Sequence, residues 1–305
     1  GFEDGVQGAR VLAAGLALLV AALGLVPVFL LRDPTAARFA PGAARERGGL
    51  GFFAGMKVTL RNRNFRRLCL ATFAFFPGMI LVQNLSSFLV IYYLYAGDKA
   101  AASVLIGWSG TLASVLGLLF VPVVTWLGTH LGKRSAFIVC AAAALAGCLL
   151  KWVSYVPELP WLNLLPGPFI GLGFAALWVL MSSMMADVCD EDELHTGERR
   201  EGAYGAIFWW IVKLGLSAAL AASGLLLELT GFDEALGGAQ SERTILLMRV
   251  ADMLLPAVFV TTAILFVRRF SLTEARCGEI RSELERRRAA GRDGATAEKE
   301  VAGAA

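Results

Sequence analysis

Charge is scarce in this sequence: 17% of its 305 residues are Asp, Glu, Lys or Arg, while 57% are hydrophobic. With a mean hydropathy of +0.63, a water-soluble domain of this length would lack the polar side chains to cover its outside. Histidine is scarcer still. His130 and His195 are the two present; they stand far apart in connectors, so no metal site is assigned. The five cysteines (Cys69, Cys140, Cys148, Cys189, Cys277) form no CxxC pair, which excludes a zinc or disulfide framework and reads as small buried residues. Neither HExxH nor GxSxG occurs, nor a pair of aspartates within an apolar run, so an integral-membrane enzyme is not expected. The net charge is only +3, and basic residues sit at the ends of apolar runs instead of forming one face. Nucleic acid is therefore not an expected partner. The first ten residues, GFEDGVQGAR, hold no basic leader or cleavage site.

What the chain does have is long apolar runs. Seven approach the roughly 20 residues that cross a bilayer as helix: Val11–Leu31, Leu68–Tyr95, Val104–Gly128, Ala136–Val156, Trp161–Ala186, Tyr204–Leu229 and Val250–Val267. An all-α membrane bundle of about seven crossing helices follows, since a helix satisfies its backbone groups within one segment. Pro27, Pro77, Pro122, Pro166, Pro168 and Pro256 fall inside these runs, where membrane helices tolerate them as bends.

Basic residues set the expected orientation. The stretch 32–67 carries Arg32, Arg38, Arg45, Arg47, Lys57, Arg61, Arg63, Arg66 and Arg67 against Asp33 and Glu46; Lys133, Arg134, Arg268 and Arg269 fall on the same side if the helices alternate. That side is expected to be cytoplasmic, as is the C-terminus. Gly1 would then lie outside, an arrangement that points to preceding helices. The expected division is an outer loop and first helix (1–31), a cytoplasmic connector (32–67), a six-helix bundle (68–270), and a cytoplasmic helix with a disordered tail (271–305). The segment SLTEARCGEIRSELERRR carries a helix-start signal and reads as a solvated helix.

Lys213 is the most informative residue. It lies twelve residues past Glu201 inside AIFWWIVKLGLSAALAA, about 18 Å along a helix and so near the bilayer midplane. A lysine there should face a polar cavity or a carboxylate; the competing reading is snorkelling to the interface. Trp178, nine residues before Asp187, should reach a similar depth from the neighbouring helix. An indole beside a cation suits a hydroxylated ring, whereas Trp178 taken alone would read as packing. Gln83, Asn84, Ser86 and Ser87 form a polar cluster in the second run; Gln83 and Ser87 share a face and either line a cavity or bond between helices. Asp252 reads as an interfacial charge.

The stretch GLGFAALWVLMSSMMADVCDEDELHTGERREGAYGAIFWWIVKLG resembles the tenth-helix, loop and eleventh-helix signature of the glycoside–pentoside–hexuronide:cation symporters. These are the melibiose-permease type within the major facilitator superfamily. The match covers ALWV, ADVCDEDEL, RREGAY and the KLG of Lys213, while GTHLGKR resembles the eighth-to-ninth-helix loop. The resemblance implies helices six to twelve of a twelve-helix fold. It implies cation-coupled sugar transport by alternating access, and a bacterial inner-membrane location. It places Trp178 and Lys213 at the sugar cavity; Gln83 and Asn84 join the expected substrate site through their own polar cluster, not through the resemblance. Asp187, Asp190, Glu193, Arg199 and Glu201 fall in a cytoplasmic gate, to which Lys133 and Arg134 are added; the plainer readings are a solvated connector and a topology anchor. The coupling cation, Na⁺ or H⁺, would bind in N-terminal helices outside this sequence, so the missing N-terminal half is an expected partner beside sugar and lipid. This chain alone is then not expected to transport. The alternatives are a lysophospholipid or other small-solute carrier of the same fold, or a non-transporting fragment.

Overall fold

The structure, a computed structural model, describes residues 5–30 and 52–303 of the chain, with side chains for Arg10, Val11 and residues 13–27 and 56–289. Nine α-helices are found among the described residues: α1 (Gly5–Leu30), α2 (Phe52–Thr59), α3 (Arg63–Leu89), α4 (Lys99–Leu131), α5 (Lys133–Ser154), α6 (Gly167–Thr196), α7 (Glu201–Thr230), α8 (Glu242–Arg268) and α9 (Glu274–Gly303). No strand is present among them. Two compact units divide the chain, residues 1–53 and 54–305. In the first, α1 carries one apolar stretch, Ala13–Pro27, shorter than the crossing helices. In the second, six helices are long and apolar enough to cross a membrane. The expected seven crossings are therefore six plus the shorter stretch of α1. Arg32, Asp33, Arg38, Arg45, Glu46 and Arg47 of the basic connector lie outside the described residues.

Helix ends follow local chemistry. The Asn62 side chain accepts from the backbone N–H of Asn64 and Phe65 to start α3, Asp98 does the same for α4, and Ser241 caps α8. A single residue, Gly132, joins α4 to α5 at φ +77°, a conformation in which a Cβ would be strained. The α3 helix continues into a π-helical turn, Val90–Leu94. The apolar run expected to cross from Trp161 is interrupted: a 3₁₀ turn, Pro160–Leu164, precedes α6, which has Pro166 at its N-cap and Pro168 in its first turn. Proline lacks the N–H a helix interior needs but fits the first turn, so it starts this helix instead of bending it.

The far boundary of α6 also differs from expectation. Asp187–Thr196, read as an acidic connector, is helical, and the loop shrinks to Gly197–Arg200. Nothing before Gly197 breaks the helix; Gly197 ends it at φ +72°, its N–H bonded to the Glu193 carbonyl. Acids gathered near a helix C-terminus oppose the helix dipole, and basic partners described below offset them.

Packing places α3 at the centre, against α7 and α8, with α5 against α6 and α8 and α4 against α6. Phe65, Phe75, Met79, Leu85 and Leu89 of α3 are fully buried. Two glycines let backbones approach closely, as membrane helices require. A Cβ on Gly78 would stand 2.7 Å from Phe259 Cβ of α8, and one on Gly173 would stand 2.5 Å from Ala144 Cβ of α5. By contrast α4 is covered over little of its length, leaving Trp108, Leu118, Leu119 and Trp126 exposed.

One further expectation is corrected. The segment from Glu274 is not a wholly solvated helix: Cys277, Ile280 and Leu284 are buried in the core shared with α6. Their spacing is that of one helical face. The helix continues to Gly303, past the point where a disordered tail was expected, through a run rich in the helix formers Ala, Glu, Lys and Arg.

Candidate functional site: an aromatic–lysine face and a charged helix end

Helices α3, α6 and α7 together build the face that holds Trp178 and Lys213. The Trp178 indole, on α6, meets Phe76 of α3 edge-on at 5.9 Å and lies at 28° to Trp209 of α7, also at 5.9 Å. Trp178 is 42% exposed and Trp209 52%, so the two rings form an uncovered platform. Lys213 is exposed too, and among the described residues it makes no hydrogen bond or ion pair. The structure does not put Lys213 against Trp178. It puts Trp209 there, and Trp209 is the i−4 neighbour of Lys213, about 6 Å away along the same face of α7.

Trp178 lies nine residues before Asp187, about 14 Å of helix, and Trp209 eight residues past Glu201, about 12 Å, whereas Lys213 lies a turn further on, at about 18 Å. Trp209 was missed, although its i, i+4 spacing to Lys213 was visible.

Gln83 is exposed and Asn84 half-buried on α3. They are not brought to Lys213. Gly215 of α7 packs on Pro77 of α3, and both helices run the same way, so Gln83 stands about 12 Å beyond Lys213 along the bundle. It shares a face with Phe76, two turns earlier. Ser87 Oγ donates to the Gln83 carbonyl at 3.0 Å, and Ser86 Oγ lies 3.0 Å from Tyr155 Oη.

The charged residues assigned to a gate are gathered at the α9 end of the bundle. Asp187 is buried, held at 2.6 Å by Lys133 Nζ from α5 and at 2.6 Å by Arg281 from α9. That hydrogen bond holds the Arg281 guanidinium above its ordinary pKa. Arg281 also stands 3.9 Å from Asp190, and Arg288 bonds both carboxylate oxygens of Glu193 at 2.8 and 2.9 Å. Arg199 pairs with Glu201 at 2.6 Å and stands 3.8 Å from Glu193; the same hydrogen bond to Glu201 raises its pKa. Arg134 makes no ion pair among the described residues. It donates to the Phe270 carbonyl at 3.2 Å, fixing the turn between α8 and α9. The acidic end of α6 is thus strapped by α9.

Further links at this end escaped the sequence reading. Arg200 grips Asp192 with two bonds of 2.7 and 2.9 Å. Glu191 accepts from Asn64 at 3.0 Å, and Asn64 Oδ1 accepts from Ser271 Oγ at 2.8 Å. A pocket of about 470 Å³ opens beside them, lined by Asn64, Glu191, Asp192, Arg200 and Ser271, and another of the same volume lies against Lys133, Arg134 and Asp187.

Comparison with known proteins agrees with this architecture. A family model described as MFS/sugar transport protein matches residues 3–274. An uncharacterised symporter of Synechocystis is 26% identical over 238 residues, 76% of this chain and 42% of its own length. The glucuronide carrier protein homologue of Escherichia coli is 27% identical over 237 residues, 76% and 49%. The isoprimeverose transporter of Lactiplantibacillus pentosus is 25% identical over 220 residues, 71% and 43%. The chain spans less than half the length of each of these relatives. Family and relatives are transporters, not enzymes, and with six apolar crossing helices the chain is a multi-pass integral membrane protein. It is an all-α bundle that belongs to the MFS/sugar transport family.

Proposed function

We propose that this chain supplies the C-terminal half of the substrate cavity of a sugar–cation symporter working by alternating access. The observation that carries the proposal is the open face made by Trp178, Trp209 and Lys213. Two indoles and a lysine with no hydrogen-bond or ion-pair partner among the described residues face outward from otherwise apolar helices. In a bilayer a lysine held open in this way needs a polar ligand or water, and the indole faces give an apolar seat for the C–H face of a pyranose. Ammonium donors at one edge take hydroxyl or carboxylate oxygens. The printed names of the relatives, a glucuronide carrier homologue and an isoprimeverose transporter, support a glycoside as the substrate class.

Coupling to Na⁺ or H⁺ is part of this proposal, supported by the relatives that are named symporters. The strapped end of α6 is the cytoplasmic end on this reading, with Asp187, Asp190, Glu193, Arg199 and Glu201 in the charge set that changes partners on closure. Lys133 and Arg281 then compete with any outside partner for Asp187. Gln83 and Asn84 line the path further toward the opposite side.

Calorimetric titration of the purified protein in detergent with a glycoside panel, including a hexuronide and a pentosyl disaccharide, tests the site. Lys213→Ala and Trp209→Ala should each weaken binding at least about ten-fold, the scale of one lost charged hydrogen bond or stacked ring. Undetectable binding of every glycoside, or unchanged affinity in both variants, refutes the assignment.

A further inference from the structure

At the end of the bundle opposite α9, three helices meet around a buried pair of opposite charges. Lys151, in the last turn of α5, and Asp252, in α8, are 3% and 1% exposed. Lys151 Nζ stands 2.6 Å from Asp252 Oδ2. Tyr155, where α5 ends, donates its hydroxyl to the same Oδ2 at 2.6 Å, and that hydroxyl is 3.0 Å from Ser86 Oγ of α3. Lys151 Nζ also donates to the Val82 carbonyl of α3 at 3.3 Å. The two charges cancel, so the cluster is neutral as a unit. Asp252 Oδ1 has no hydrogen-bond partner among the described residues.

The contacts on α3 are arranged in a telling way. Val82 and Ser86 are i, i+4 neighbours, so both bonds fall on one side of the helix. Gln83 and Ser87 follow each by one residue, about 100° further round. Pro77 removes a ladder bond just before this stretch, and the π-helical turn Val90–Leu94 loosens the ladder just after it. Between two weak points, the rotation of α3 is set from outside.

We propose that Lys151, Asp252 and Tyr155 form a charge-neutral staple that fixes the rotation of the far half of α3 and so presents Gln83 and Ser87 to the open face. They are positioning residues. An ionisable residue within a membrane helix is first suspected of handling an ion; here the carboxylate already has an ammonium and a phenol on one oxygen. Removing one charge strands the other in the interior, whereas replacing both with apolar side chains is tolerated. This inference stands on α3, α5 and α8 and does not depend on which solute is carried.

The test uses the whole chain with Gln83→Cys as a reporter, since all five native cysteines are buried. Thermal unfolding and the labelling rate of the introduced thiol by a charged reagent are measured together. Asp252→Asn and Lys151→Met should each lower Tm by on the order of 10 °C and change the labelling rate several-fold. The double variant Lys151→Met/Asp252→Leu should recover most of the Tm. Tyr155→Phe keeps both charges but removes the hydroxyl's bonds to Asp252 and Ser86, so it should alter labelling as much as the single charge variants while lowering Tm by less than half as much. That result is one a purely stabilising pair would not give. A double variant no more stable than the worse single, single variants of full stability, or labelling that none of the substitutions alters would each overturn the staple.

Discussion

Replacing Asp187 by Asn tests whether α9 is held as a strap. The change keeps the shape of the side chain and removes its charge. Two charge-assisted bonds are lost, to Lys133 and to Arg281, both at 2.6 Å. Their environments differ: the Lys133 side chain is 17% exposed and that of Arg281 48%. The inner bond falls in the range of about 1.5–3 kcal/mol for charged hydrogen bonds, and the outer one, screened by solvent, adds at most about 1 kcal/mol. Only contacts across α9 control its release directly, but a stranded Lys133 also loosens the seat beneath Cys277 and Ile280. A local loss of about 2–3 kcal/mol raises the undocked population of α9 by about 30- to 150-fold. Trypsin reads this through Arg281, Arg286, Arg287 and Arg288, whose peptide bonds are shielded while α9 is docked. When reclosing outruns cleavage, the rate follows that population. Arg281→Ala, which removes only the screened contact, should speed cleavage no more than about ten-fold. If Asp187→Asn leaves C-terminal cleavage within about three-fold of the parent, the carboxylate does not hold α9 and the strap is refuted.

Two other outcomes follow from close packing and burial. Gly173→Ala should destabilise the α5–α6 contact by about 1–3 kcal/mol, because the new methyl meets Ala144 Cβ at 2.5 Å; a melting curve unchanged from the parent would contradict the packing. Burial pushes the Cys277 thiol from its ordinary 9.0 up to about 12. At pH 8 its thiolate fraction is then lower by about a thousand-fold than that of a free thiol, so a thiolate-selective reagent should modify it only on unfolding. The raised value favours the folded state below pH 9, and that contribution disappears as pH climbs toward 12. Stability should therefore slope downward through that alkaline window, and a Cys277→Ser variant should lack that part of the slope.

Helices were the legible part of this sequence, and their partners were not. The apolar runs located each of α3 to α8, though the ends differ by as much as ten residues, at α6, because length and lipid solubility leave no other fold for them. The acidic run after Asp187 misled, since local composition cannot distinguish a solvated connector from a helix end whose charges are matched by Arg281 and Arg288 far along the chain. Lys151 and Asp252 show the same limit. Each stands at the edge of an apolar run and reads as an interfacial charge, because nothing in one sequence gives the register of α5 on α8. Lys213 was legible by depth alone. Its neighbour on the face, Trp209, needed only the helical period, while the contact of Trp178 with Trp209 depends on how α6 packs on α7.

The order in which the chain is made gives the α9 strap a second significance. Arg281 is separated from Asp187 by 94 positions, and α7 and α8 are synthesised between them. At typical elongation rates that interval lasts about 5–20 s. Throughout it the α6 carboxylate has Lys133 to neutralise it but lacks Arg281, and the apolar seat for Cys277, Ile280 and Leu284 stands open. The α9 helix thus closes a joint begun several helices earlier. A ribosome that stops short of Arg281 would release a bundle with α3 to α8 all present and its acidic end unfinished, a defect that a quality-control protease could recognise.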